Sequence, residues 1–154
     1  MVPEVLFDSS LAGTPFRGLI IRGLFGPCAY IGVPMEHCLA DMESLRFDCH
    51  GGVITFRGPG DGEIRPEGWY WYGWDYQHVN DAVNLPELSE DEFPAELIEL
   101  LQSFYGSGTG KVWTVAEIEH DLIDAAVQVA KLLEQGQGAA DRVMQSLSQS
   151  RPIP

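Results

Sequence analysis

Basic residues are scarce in this chain. Nine lysines and arginines stand against 23 aspartates and glutamates, giving a formal charge of −14. A field of that sign repels nucleic acid and anionic membrane, so neither is expected as a partner. It still permits a small anion in a locally basic pocket, and it suits docking on a basic protein. Cysteines are few: Cys28, Cys38 and Cys49, an odd number with no CxxC pair. That excludes a disulfide framework and implies reduced thiols. No apolar run approaches the roughly 20 residues of a membrane helix. The opening MVPEVLFDSS is acidic and lacks the basic start of a secretory leader, so the cytoplasm of whatever cell makes it is the expected location. Also missing are a GxGxxG or Walker loop, a GxSxG elbow and any standard zinc spacing.

The length of 154 residues suits a single domain, 1–154, with core enough to need no staples. Residues 1–17 read as an irregular arm and 18–80 as a sheet-rich part. GLIIRGLF (18–25) and CAYIGVP (28–34) are short apolar runs around Gly26-Pro27, the mark of two strands. MEHCLADMESL (35–45) has room for a helical turn. LRFDCHGGVITF (45–56) reads as a strand interrupted at Gly51-Gly52. GPGDGEIRPEG (58–68) is a loop, and WYWYGWDY (69–76) a strand.

Residues 86–149 read as helical. Ser89-x-x-Glu92 and Thr114-x-x-Glu117 are capping boxes. The first precedes an apolar series of Phe93, Leu97, Leu100, Leu101 and Phe104, closed by Gly106. The second opens a helix with a stripe of Ile118, Leu122, Ala125, Val129 and Leu132. A weaker third helix is expected over about 139–149, then a fraying tail, 150–154. Strands first and helices after define an α+β domain, an antiparallel sheet with two to three C-terminal helices packed on one face.

Six aromatic residues crowd the segment from Trp69 to Tyr76. Alternation along a strand sends Trp69, Trp71, Gly73 and Asp75 one way and Tyr70, Tyr72, Trp74 and Tyr76 the other. One face can pack on helices while the other stays available, with Gly73 opening a notch for a flat ligand. Rings of this kind more often fill a core.

Two segments carry titratable groups at strand ends: Asp48-Cys49-His50-Gly51-Gly52, and Asp75 through His78 to Asp81. Three chemistries follow. His50, His78 and Asp75 or Asp81 have the ligand types of a divalent-metal site. A histidine oriented by an aspartate is an acid–base pair, though a structural His–Asp bond is at least as common. His50, His78 and the Gly51-Gly52 amides are also able to grip polar ligand groups without reacting. His37-Cys38 and Cys49-His50 are weaker metal candidates, better explained as small buried thiols. Glu117-x-x-His120 lacks the second copy that a di-metal helix motif needs.

The blocks CAYIGVPMEH, CHGGVITF, WYWYGWDYQHVND and the helix from Trp113 resemble, in that order and over about residues 28–133, a group of small phage and prophage proteins. Those carry a strand ending in His-Gly-Gly, here His50-Gly51-Gly52. They also carry a W-x-G-aromatic-D-x-x-H-x-x-D segment, here Trp71, Gly73, Trp74, Asp75, His78 and Asp81, and a closing acidic helix. The resemblance implies an accessory phage gene, expressed in the cytoplasm of a bacterial host cell, and brings no catalytic role. Such genes often counter host defences. The leading expectation is therefore a non-enzymatic binding protein, without resident cofactor, that sequesters a nucleotide-like signal. Trp71 or Trp74 would stack the base; His50, Gly51, Gly52, Asp75, His78 and Asp81 would meet its polar groups; Arg57 or Arg65 would balance charge. The alternatives are a metal-dependent hydrolase using His50, Asp75, His78 and Asp81, and an acidic inhibitor docking on a host defence protein through residues 81–134. A binder of a symmetric signal would often be a homo-oligomer, although no interface stripe stands out.

Overall fold

In a computed structural model the described residues are 4–23, 25–78, 80–82, 93–105 and 110–149. The Ser89–Glu92 box, the Gly106 stop and the 150–154 tail lie outside them. Among these residues five strands, β1 (Glu4–Ser10), β2 (Arg17–Arg22), β3 (Pro27–Pro34), β4 (Phe56–Pro59) and β5 (Trp69–Asp75), precede two helices, α1 (Ala95–Tyr105) and α2 (Val115–Gln149). The strands form one sheet in the order β1-β2-β3-β5-β4, every neighbouring pair antiparallel. The protein is an α+β domain.

Three local expectations are corrected. The supposed arm contains β1, which pairs with β2 from Glu4↔Arg22 to Ser10↔Arg17. Its hydrogen-bond partner, not its own polar sequence, makes it a strand. Residues 45–55 are not a strand; only 56–59 join the sheet, as β4. The positive φ of Gly51 (79°) and Gly52 (81°) turns the chain out of an extended path just before it. The third helix merges with the second, since α2 runs unbroken through Gly136.

The alternation in β5 holds. Tyr70, Tyr72, Trp74 and Tyr76 share a core with Ile20, Ile31, Val33 and the α2 residues Ile118, Leu122, Ala125, Ala126 and Val129. The segment 35–55 completes this side: Phe47 meets Trp74 edge to face, and the Tyr72 hydroxyl donates to the Leu39 carbonyl at 2.6 Å. Trp71 lies on the opposite face with Leu19, Ile21 and Tyr30. Full burial of one such side chain stabilises by roughly 1.5–3 kcal/mol.

That second face is not available. The turn 60–68 covers it: Trp71 Nε1 donates to the Pro66 carbonyl at 3.0 Å, and the Arg65 guanidinium stacks 4.1 Å from the Phe56 ring centre. The Gly73 notch is filled as well. A Cβ at Gly73 would lie 2.4 Å from the Tyr30 ring, and one at Gly32 would lie 2.8 Å from Trp71. Each glycine faces its ring across the β3–β5 ladder, Tyr30↔Gly73 and Gly32↔Trp71. The small residues accommodate their partners, not a ligand.

The Thr114 box caps α2 as expected: Glu117 N donates to Thr114 Oγ1 and Thr114 N to Glu117 Oε1, both at 3.2 Å. Lys111 reaches Glu117 at 2.7 Å. The α2 stripe is buried as far as Val129, but Leu132 is 42% exposed and Leu133 takes the inward place. Of the α1 stripe, Leu97 and Leu100 are exposed.

Candidate functional site

Three chain segments meet where β5 ends. The chain turns over residues 76–81, closed by the Asp81 amide donating to the His78 carbonyl at 2.9 Å. Asp81 then pairs with Lys111 in an isolated parallel bridge, and Ala82 N donates to the Lys111 carbonyl at 2.8 Å. This close approach needs Gly110, where a Cβ would lie 2.3 Å from the Asp81 backbone. The 45–55 segment brings in His50, and Gln128 on α2 clamps that segment by bonds to both the amide and the carbonyl of Asp48.

Asp81, 4% exposed, is the centre of the junction. His50 Nε2 sits 2.8 Å and His78 Nδ1 3.2 Å from Asp81 Oδ2. The His78 amide donates to Oδ2 at 3.0 Å, and Trp113 Nε1 donates to Oδ1 at 2.7 Å. Burial opposes the charge of Asp81, but the His78 amide, the His50 ring and the Trp113 indole outweigh it and hold its pKa below the usual carboxylate range. An ionised carboxylate only accepts, so His50 Nε2 and His78 Nδ1 carry the protons in this arrangement. The His50 ring stacks on Tyr76, with centroids 4.5 Å apart and 8° between planes, and Trp113 meets it at 4.8 Å. Tyr76 in turn donates to Asp121 Oδ2 at 2.6 Å. Burial and that carboxylate push the Tyr76 pKa up, so its hydroxyl stays protonated.

The residues expected to act together are thus divided. His50, His78 and Asp81 converge, and Asp75 stands at the edge, its Oδ1 3.8 Å from His78 Nδ1. Gly51 belongs to the junction: a Cβ there would lie 2.3 Å from His78 Nε2, so the His78 ring occupies the space over the glycine. Trp71 and Trp74 do not belong. They are 0% and 1% exposed in cores on opposite sheet faces, and neither can stack a ligand without unpacking the sheet. Arg65 is committed to Phe56, Tyr30 and Asp61 on the far face. Arg57 lines a separate cleft of about 470 Å³ with Arg46, Asp48, Gly52 and Gln128. Its guanidinium donates to the Leu45 carbonyl at 2.7 Å and the Met42 carbonyl at 3.2 Å.

Trp113 was legible only as the start of a helix, yet its indole anchors Asp81. An indole directly before a capping box, next to a glycine-rich link, is the signal that could have marked it. Tyr76, read as one more core ring, proves to be the platform under His50.

The donor set suits a divalent metal. One ring nitrogen of His50, one of His78 and one carboxylate oxygen of Asp81 lie within 4.8 Å of one another. Two ligands of a tetrahedral zinc centre stand about 3.3 Å apart, close to the separations observed from Asp81 Oδ2. Trp113 holds Oδ1, leaving Oδ2 to face both rings, as an outer hydrogen bond orients a ligating carboxylate. A smaller cleft of about 270 Å³ opens beside His50 and Trp113, lined also by Asp48, Cys49, Asp121 and Asp124, and it shares Asp48 and Gln128 with the arginine cleft. Burial, then Asp48, Asp121 and Asp75, push the Cys49 thiol up to about 11, so it is neither nucleophile nor ready ligand at neutral pH. The Cys38 and Cys49 pairs do not come together among the described residues.

No family model, curated protein or solved structure matches the chain.

Proposed function

We propose that His50 Nε2, His78 Nδ1 and Asp81 Oδ2 hold a divalent metal ion and that the protein is a metal-dependent hydrolase. The observation that carries this is the pairing of two imidazoles on one oxygen of a buried aspartate whose other oxygen an indole holds. Three protein ligands leave a position for water, which the metal would activate. His78, its side chain 42% exposed, gives that position access to solvent. In the phage accessory setting that the resemblance implies, the substrate is a small nucleotide-like defence signal.

A second reading rests on the Arg46–Arg57 cleft, a concentration of positive charge in a strongly acidic chain. There the protein would bind such a signal without cleaving it, through arginines and the exposed Gly52 rather than through tryptophans.

One experiment separates these. Purified protein is titrated with zinc and manganese, alone and with a panel of linear and cyclic nucleotides, and recovered nucleotide is weighed by mass spectrometry. The hydrolase reading expects about one metal per chain, none in Asp81→Asn, and chelator-sensitive cleavage. A wild-type chain that binds no divalent ion, or an Asp81→Asn chain that binds it equally, defeats the metal centre. A metal-independent nucleotide shift with no cleavage, lost in Arg57→Ala, selects the second reading. Salt-sensitive binding to a host protein, indifferent to both variants, selects the acidic inhibitor.

A further inference from the structure

The long helix is far longer than the surface it covers. Its 35 residues extend about 52 Å at 1.5 Å each, while β1, β2 and β3, the strands it contacts, span only about 10 Å between the outer two. Among its described side chains the last fully buried one is Val129. From Glu134 on, every residue whose side chain is described is exposed, including Val143 at 59%, Met144 at 66% and Leu147 at 63%. Among the described residues no other element lies against this outer half.

The outer half continues the pattern of the inner half. Leu122, Ala126, Val129, Leu133 and Gly136 are spaced by four, three, four and three residues. Val143 follows one heptad after Gly136, and Leu147 four residues later. This is the seam of a coiled coil. The sheet covers its first part and nothing among the described residues covers the rest. A helical overhang with Gly136 in its middle is marginal alone, because glycine weakens helices and short isolated helices melt in water. Packing must hold it.

Charge points to what packs there. The segment 131–149 carries Lys131, Glu134, Asp141 and Arg142, a net charge of zero, in a chain of −14. Two copies can therefore meet on it without net charge repulsion. In an antiparallel pair with Leu147 of one copy along Gly136 of the other, Val143 lies along position 140, clear of the sheet that covers Val129. At Gly136 a Cβ would meet nothing within 4 Å, which leaves room for the close approach of a second helix. We propose that the outer half of α2, from Leu133 to Leu147, is a self-association surface that pairs two copies of this chain by a two-fold axis.

Sedimentation of the full chain tests this. About four turns of paired helix form a small interface, so dissociation in the micromolar range is expected, and loadings from about 2 to 200 µM should span it. The expected result is a shift from 17.0 kDa to twice that mass. Val143→Glu with Leu147→Glu should keep the chain at 17.0 kDa throughout. Both side chains are exposed in the single copy, so the variant retains the sheet and its core. Hydrogen exchange reads the same surface without mutation: protection over residues 134–147 should rise with protein concentration and elsewhere stay constant. A wild-type chain that remains monomeric at the highest loading overturns the proposal. So does a dimer that survives both substitutions, or concentration-dependent protection that maps to another segment.

Discussion

From Trp69 to Asp75 the chain buries its rings; from Tyr76 to Asp81 it sets down one histidine and one aspartate at a turn. The two stretches adjoin in sequence but do different work. In β5, Trp71, Tyr72 and Trp74 are at most 1% exposed; Trp71 fills the space over Gly32, and Tyr30 fills the space over Gly73. At the turn, Asp81 is also buried, at 4% exposure, but around it stand His50, half-exposed His78 and Trp113 from three segments. Crowding of rings marks where the fold is held. Convergence of polar groups on a buried charge, which is costly unless each acceptor is satisfied, marks where chemistry is to be sought.

This division can be broken or sharpened. The largest effect is expected from Trp71→Ala, which empties the core on the covered sheet face and should cost about 3–5 kcal/mol. Chemical denaturation would record it, and metal titration of the folded fraction should show unchanged affinity. A loss of ligand binding without a loss of stability would reverse the roles given to the two stretches. Asp81→Asn should weaken metal binding by at least about 100-fold by removing the ionised ligand, as isothermal titration would measure. Trp113→Phe keeps the ring but not the 2.7 Å bond to Asp81 Oδ1, and should weaken the metal by about 10–100-fold.

Acid provides a subtler test. The folded pKa of Asp81 is depressed, so its contribution to stability is complete above the ordinary carboxylate pKa, near 4, and is lost as pH falls through the lower folded value. Melting curves of wild type and Asp81→Asn should therefore converge on acidification below about pH 4. Parallel curves throughout would mean that folding leaves the Asp81 pKa unshifted. The smallest effect is expected at the second histidine–carboxylate group, His120, Asp121 and Asp124. His120 is 75% exposed and its 3.4 Å pair with Asp124 lies in solvent, so His120→Ala should change stability by less than about 0.5 kcal/mol and leave metal binding intact.

Much of the fold was legible locally. Period-two alternation in β5 assigned each ring to the correct face, and the Thr114–Glu117 box located the start of α2. Strand β1 was missed because LFDSS carries no clear alternation and forms a strand by pairing with β2. Residues 45–55 have the composition of a strand but spend their polar groups on turns and on Gln128. At the site, His50, His78, Asp75 and Asp81 were legible by type and by position at the ends of apolar runs. Trp113 was not, since an indole declares its partner only when the chain brings the partner within reach.

The sequence by itself determined the class of fold, the two faces of β5, the capped start of the long helix and the residue types available for chemistry. These rest on periodicity and on bonds between near neighbours. Only the tertiary structure decided that Gly73 is filled by Tyr30, that Trp71 and Trp74 are sealed apart, and that His50, 31 positions from Asp81, donates to it. Such outcomes depend on which distant segments share a volume. That is settled by packing and by the need to satisfy a buried carboxylate, neither of which is written in any short stretch of the chain.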